Sequence, residues 1–420
     1  MNYTKTEKNG YTLHLIQTDK FKTITLRANF RTLVREDLIT KRELLAGILS
    51  VSSKKYPKRR EFVMRKEELY QLGCGATSYT SGNALVFMAD LKFIHEKYTE
   101  KGMNKESLEF FLDTLMQPDI DDQKFNSGVF TLEKRNYLEF LEGKNDDPNR
   151  YASWKLDTLR GRKTPLSFDR SGDMDTLISL NEKELYQVYK EMIENDKLDI
   201  FVIGDITKEE LEPLFDAYFL KRTSVKEEIN HFLAYPKGEA IVEKEASPFK
   251  QSKLKMGYFI ENMTSFERNY VLRVYNFLLG SSSDSLLFKT VREENSLCYD
   301  IHSTCAPLYD MLTVSAGIEA KDYEKTVSLI QESIQKMREG DFSHEELEKV
   351  KLNYKTSYEE TVDSDGSILS LYESHVYLHS GLLEERIEAI STVTKDMVVA
   401  LAQKVKLDVI YLLEGNDANE

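Results

Sequence analysis

The 420-residue sequence predicts an α+β fold built from two duplicated domains, each an antiparallel or mixed β-sheet covered by α-helices. Three observations lead there. A strand-length segment occurs twice, a strand–turn–strand block follows a helix end in each half, and helices and strands alternate without a strict βαβ rhythm. "KLDIFVIGD" (197–205) and "KLDVIYLLEG" (406–415) are near copies, each a polar lead-in, an apolar run and a turn residue. Lys197 and Lys406 lie 406 − 197 = 209 positions apart, half the chain, a period that means a duplicated domain rather than a solenoid.

Each half is expected to open on a hairpin, 11–17 with 22–30 in the first and 240–246 with 252–262 in the second. "KEELYQLGCGATSYTSGNALVFMADLKF" (66–93) then parallels "LFKTVREENSLCYDIHSTCAPLYDMLTVSAGIEA" (287–320), both reading as helix end, strand, turn and strand. Helices follow at 105–117, stopped by Pro118, and at 323–340, closed by Gly340. Ser343 with Glu346, Asn181 with Glu184 and Thr207 with Glu210 have the spacing of capping boxes that open further helices. Segment 221–239 is polar, contains Pro and Gly, and has no strong period. It separates the expected domains, 1–222 and 238–420.

Lys and Arg number 57 against 71 Asp and Glu, a net charge of −14 that argues against nucleic acid or an anionic membrane as the main partner. The densest basic run, "SSKKYPKRR" (52–60), reads as a solvated loop. No apolar stretch has the length of a signal peptide or a membrane span, so a soluble, cytoplasmic chain without membrane insertion is expected. Cys74, Cys298 and Cys305 are an odd number and make no disulfide framework.

Candidate sites are few. The turn from Gly280 to Ser283 has one glycine and no adjacent Lys-Ser/Thr pair, so it does not read as a phosphate loop. His375 and His379 are spaced to share a helix face, but no Glu stands between them as in a helical zinc hydrolase motif. On a regular strand Cys298 and His302 share a face while Cys305 points the other way, which makes a three-ligand site improbable. No self-sufficient catalytic constellation stands out. Arg292 and Tyr299 on their own read as an ion-paired surface arginine and a packed tyrosine.

The duplicated halves and "LLGSSSDSLLFKTVREENSLCYDIHS" resemble the pitrilysin/insulinase-like zinc peptidases, a family that includes the mitochondrial processing peptidase subunits and the core proteins of the respiratory b–c complex. The match to V-R-E-x-x-x-L-x-Y runs from Val291 to Tyr299 without a gap. "DDPNRYASWKLDTLRGRKTPLSF" (146–168) is similar to the family's D-x-P helix start and Pro-Leu turn, and 179–206 to the helix-then-strand end of its first domain.

The resemblance implies a zinc site that this chain lacks. Active members carry H-x-x-E-H on the first long helix and a further ligand Glu on a later one. Here the five positions fall on Glu43, Leu44, Leu45, Ala46 and Gly47, and no His occurs between His14 and His95. The third-ligand position falls on Phe140 or Glu139. With one carboxylate at most, no metal and no catalytic residue are expected in this chain alone. Arg292 and Tyr299 match the family residues that contact the substrate backbone and the developing oxyanion, a role that suits a guanidinium and a phenol as hydrogen-bond donors. The resemblance thus implies the silent subunit of a heterodimeric peptidase, with zinc in a homologous H-x-x-E-H partner. An unfolded peptide would be the substrate, held in part by strand addition to a sheet edge. The alternative is a structural or peptide-binding homologue with no protease partner.

Overall fold

Strand order in both halves follows from where the most apolar runs must lie. The computed structural model describes residues 1–223, 229–233, 235–236 and 238–416. In the first half the strands are β1 (Asn2–Glu7), β2 (Thr12–Gln17), β3 (Thr23–Leu33), β4 (Gly73–Ser81), β5 (Ala84–Ile94), the short pair β6 (Ile120–Asp121) and β7 (Lys124–Phe125), and β8 (Lys197–Gly204). All but the short pair form one sheet, ordered β1-β2-β8-β3-β5-β4. In the second half β9 (Ile241–Ala246), β10 (Ser252–Ile260), β11 (Cys298–Ala306), β12 (Met311–Ile318) and β13 (Val405–Glu414) form a sheet ordered β11-β12-β10-β13-β9.

The hairpins β4–β5 and β11–β12 form where the parallel blocks place them. The two opening hairpins do not. β8 lies between β2 and β3, parallel to the first and antiparallel to the second. In the same way β13 lies between β9 and β10. The cause is burial: β8 is buried from Leu198 to Gly204, and β13 from Asp408 to Leu413. A run that is apolar on both faces belongs in the middle of a sheet, so each copied strand separates the pair that would otherwise join. β1, unforeseen in the sequence, extends the first sheet by pairing with β2.

The helices of the first half are α1 (Glu36–Leu49), α2 (Arg59–Glu68), α3 (Met103–Met116), α4 (Ser127–Gly143), α5 (Pro148–Gly161), α6 (Met174–Ser179), α7 (Glu182–Asn195) and α8 (Lys208–Phe219). Those of the second half are α9 (Leu272–Gly280), α10 (Tyr323–Glu339), α11 (His344–Glu360), α12 (Asp365–Leu378), α13 (Leu383–Ser391) and α14 (Lys395–Lys404). Local chemistry starts and stops them. Thr207 with Glu210 and Ser343 with Glu346 make reciprocal capping boxes, Asn181 accepts from the Glu184 amide, and Asp147 caps α5 ahead of Pro148. α10 ends on Gly340, whose φ of 71° is left-handed. Among the described residues no helix is long and apolar enough to cross a membrane.

The chain forms two compact units, and each takes a segment from the other half of the sequence. The first contains Met1–Glu142, Asp169–His231 and Asp363–Glu373; the second contains Gly143–Phe168, Phe232–Val362 and Ser374–Glu420. The change of unit after His231 falls within 221–239, where residues 224–228, 234 and 237 lie outside the described residues. One face of the first sheet packs on α1, α3, α7 and α8. On its other face the start of α12 is tied down by polar bonds. Asp365 accepts from Thr25 Oγ1 at 2.8 Å, and Glu373 from Arg27 Nη1 and Asn29 Nδ2, both at 2.9 Å. In the second unit α9, α10 and α14 cover one face, while Ala152 and Leu156 of α5 pack on Val409, Tyr411 and Leu413 of β13 on the other.

The copied strands also bury a copied carboxylate. Asp199 and Asp408 lie 408 − 199 = 209 positions apart, the same offset as the repeat. Asp199 Oδ2 accepts from Arg31 Nη2 at 2.6 Å, and its Oδ1 is 3.3 Å from His14 Nε2. Arg31 continues to His231 Nε2 at 3.0 Å, and His231 Nδ1 to Ser81 Oγ at 2.9 Å. Asp408 Oδ1 accepts from Arg162 Nη2 at 2.6 Å and its Oδ2 from the Tyr235 hydroxyl, while Arg162 donates to Pro236 O at 3.0 Å. Burial by itself would raise the Asp199 carboxyl; the His14 hydrogen bond and the Arg31 charge outweigh it and bring it to about 2.

Asp199→Asn is expected to cost about 3–5 kcal/mol, because it strands the Arg31 charge in the interior. The sign with pH follows from the depressed carboxyl. Its stabilisation is complete above the unfolded value of about 4, and is lost as pH falls through the folded value. Urea unfolding across a pH series should therefore show the wild-type advantage shrinking below about pH 4.

Candidate functional site

Arg292 and Tyr299 are brought together by three local features of the second unit. α9 ends at Gly280 against β11, where a Cβ on Gly280 would come within 2.8 Å of the Ser303 nitrogen and 2.7 Å of Leu287 Cδ1. The glycine is there for close approach of backbone to backbone. After the serine turn the chain enters a π-helical turn, Phe288–Glu293, that carries Arg292, and turns through Ser296 at a left-handed φ of 53° into β11.

Arg292 Cζ then lies 4.6 Å from the centre of the Phe288 ring and 5.4 Å from that of Tyr299. Among the described residues it has no carboxylate partner. Tyr299 is 80% exposed and beside it opens a cavity of about 290 Å³ lined in part by Gln251, Ser296 and Glu319. An ion-paired arginine and a packed tyrosine are not what the fold contains. Nearby, Lys255 is almost wholly buried, with Nζ 2.6 Å from Asn149 Oδ1 and 3.0 Å from Ser315 Oγ. Burial and the Lys253 charge push its amine down to about 8. The only hint in the sequence is that Lys255 is the second of two lysines leading into the apolar part of β10.

In the first unit, Glu43 to Gly47 lie on α1, with Leu44, Leu45 and Ala46 buried in the core. Burial raises the Glu43 carboxyl, offset in part by a 3.4 Å contact from the Ser78 amide. The expected third-ligand position needs correction. Phe140 is 49% exposed and Glu139 pairs with Arg135 on the surface at 3.7 Å. The residue of α4 that faces the motif is Glu133, whose Oε2 lies 3.7 Å from where a Gly47 Cβ would stand. The inward face of α4 runs through Phe130, Tyr137 and Leu141, and Glu133 sits on that stripe while residues 139 and 140 do not. Two carboxylates without an imidazole do not suit zinc, and no group of three or more His, Cys, Asp or Glu placed to hold a metal ion occurs among the described residues.

Two other candidates come apart. α12 stops at Leu378 and His379 has a left-handed φ of 52°, so it does not share a helix face with His375, whose Nδ1 lies 2.8 Å from Ser380 O. In β11 a register shift between Cys298 and Asp300 reverses the alternation. Cys298 and Cys305 both pack on the core while His302 is exposed on the other face. All three cysteines are free thiols.

Comparison with known proteins agrees with this reading. The "Peptidase M16 inactive domain" family model matches residues 179–354. "Probable inactive metalloprotease YmfF" of Bacillus subtilis is 29% identical over 99% of both chains. By these matches the chain is similar to the M16, pitrilysin-like peptidases. Both the family model and this relative are described as inactive. "Uncharacterized zinc protease YmxG", also of B. subtilis, is 25% identical over 81% of this chain and 80% of its own. A conserved protein from Enterococcus faecalis V583 superposes over the whole of both chains with a TM-score of 0.93 at 28% identity. The M16 inactive-domain structure from Pseudomonas fluorescens has a TM-score of 0.81 over both whole chains at 16% identity, a likeness of fold.

Gly280→Ala tests the geometry that seats Arg292 and Tyr299. The added methyl meets backbone, which cannot swing away, so a loss of about 1–3 kcal/mol is expected in chemical denaturation.

Proposed function

We propose that this chain is the non-catalytic subunit of a two-chain zinc peptidase, in which it lends Arg292 and Tyr299 to a site whose metal is held by a homologous H-x-x-E-H chain. The observation that carries the reading is the state of these two side chains. A guanidinium without a carboxylate and a phenol 80% exposed are donors still available to a peptide carbonyl. Arg292, steadied by the two rings, would hold the substrate backbone, and the Tyr299 hydroxyl would donate to oxygen as negative charge develops on it. The chain itself is expected to hold no zinc, since α1 and α4 offer Glu43 and Glu133 but no imidazole. That B. subtilis has both a relative named inactive and one named a zinc protease supports a division of labour between two M16 chains.

The test is reconstitution with the H-x-x-E-H homologue of the same organism, following assembly by size-exclusion chromatography and cleavage of an unfolded peptide. Tyr299→Phe should assemble normally and lower turnover about a hundredfold, the usual cost of one oxyanion donor. Arg292→Lys keeps the charge but loses the planar fork and should also be impaired. Normal cleavage by both assembled variants would end this reading. Failure of the chain to pair with any such homologue, with peptide binding intact, would point instead to a peptide-binding protein without a protease partner. Elemental analysis of the chain alone should find no stoichiometric zinc.

A further inference from the structure

β4 is the outermost strand of the first sheet and lies beside α1, so it is the edge a peptide would extend next to the degenerate motif. In an antiparallel pair, alternate residues turn both backbone groups away from the partner strand. On β4 the outward set includes Cys74, Ala76 and Ser78, and side chains of α1 and α2, with Ser50 just past the end of α1, are already bonded there. The Ala76 amide donates to Ser50 Oγ at 2.9 Å, while the Ser50 hydroxyl donates to Ala46 O at 2.7 Å. The Cys74 carbonyl accepts from Lys66 Nζ at 3.0 Å. The Ser78 amide points to Glu43 Oε2 at 3.4 Å.

The duplication supplies an internal control. β11 occupies the corresponding outer position in the second sheet, paired only with β12. Among the described residues, no side chain of another element bonds to its backbone. Capping is therefore a property of the first unit, created by Ser50, Lys66 and Glu43, and not of the fold as such. An edge on which an outward group of each of Cys74, Ala76 and Ser78 is already bonded cannot receive a strand there without giving up those bonds.

We propose that Ser50, Lys66 and Glu43 close the β4 edge to strand addition, so that this chain takes no extended peptide on its first sheet and the strand that pairs with substrate comes from the partner subunit. The second clause rests on the two-chain reading given above; the closure of β4 does not.

Residue-resolved hydrogen exchange separates the two. In the free chain the Ala76 amide should exchange slowly, and Ser50→Ala should speed it at least tenfold while the amides of central strand β8 keep their wild-type rates. Lys66→Met, on a largely solvent-facing helix, provides a second variant in which Ala76 stays slow, because its own cap remains. Saturating β-casein, used as an unfolded polypeptide, should add no protection to residues 73–81 of the wild type. An Ala76 amide that exchanges in the wild type as fast as an unpaired edge amide overturns the proposal, as does casein protection of 73–81. If casein binds nowhere on the reconstituted pair, the two-chain peptide reading fails, while slow exchange at Ala76 would still establish the closed edge.

Discussion

A carboxylate taken out of water must find a cation and enough donors, and each copied strand buries one at the same position. Asp199 is met by Arg31 and His14 and Asp408 by Arg162 and Tyr235, partners drawn from distant segments that differ in the two halves. Much depends on these pairs. Arg31 reaches on to His231, and Arg162 to the carbonyls of Pro236 and Glu239, so the segment that leads from one unit into the next is tied to a buried charge at each side. A strand that carries such a pair can occupy only one register, because a slip by one residue would turn the aspartate to the opposite face. The duplication therefore preserved a position and a charge, and let each half recruit its own counterion.

The region around α1 is well packed, and among the described residues it offers carboxylates but no imidazole. Ala46 and Gly47 stand at the positions of the motif Glu and second His, while Leu44, Leu45 and Ala46 fill the core. Glu43 and Glu133 remain, but the former turns to a strand amide and the latter faces a glycine. In the second unit the opposite holds: Arg292 and Tyr299 keep an exposed, aromatic-supported arrangement that packing alone does not require. A chain that held only a structural role would have little reason to leave a guanidinium unpaired beside a tyrosine in solvent. This contrast between a filled first site and an available second one is what favours a subunit that contributes donors and no metal.

What the sequence by itself determined was local or periodic. The 209-residue repeat, the capping residues of α8, α10 and α11, the hairpins β4–β5 and β11–β12, and the missing histidines could all be read from short windows or from self-comparison. So could the Val291–Tyr299 motif. Tertiary structure alone decided which strands are neighbours, since β8 and β13 enter their sheets beside segments far away in the chain. It decided the face of α4 that meets α1, the bulge that turns Cys298 away from His302, and the pairing of Ser50 with Ala76. Periodicity tells that a segment has an inner side; only the packed chain, with long-range contacts and single-residue irregularities in place, tells what that side meets.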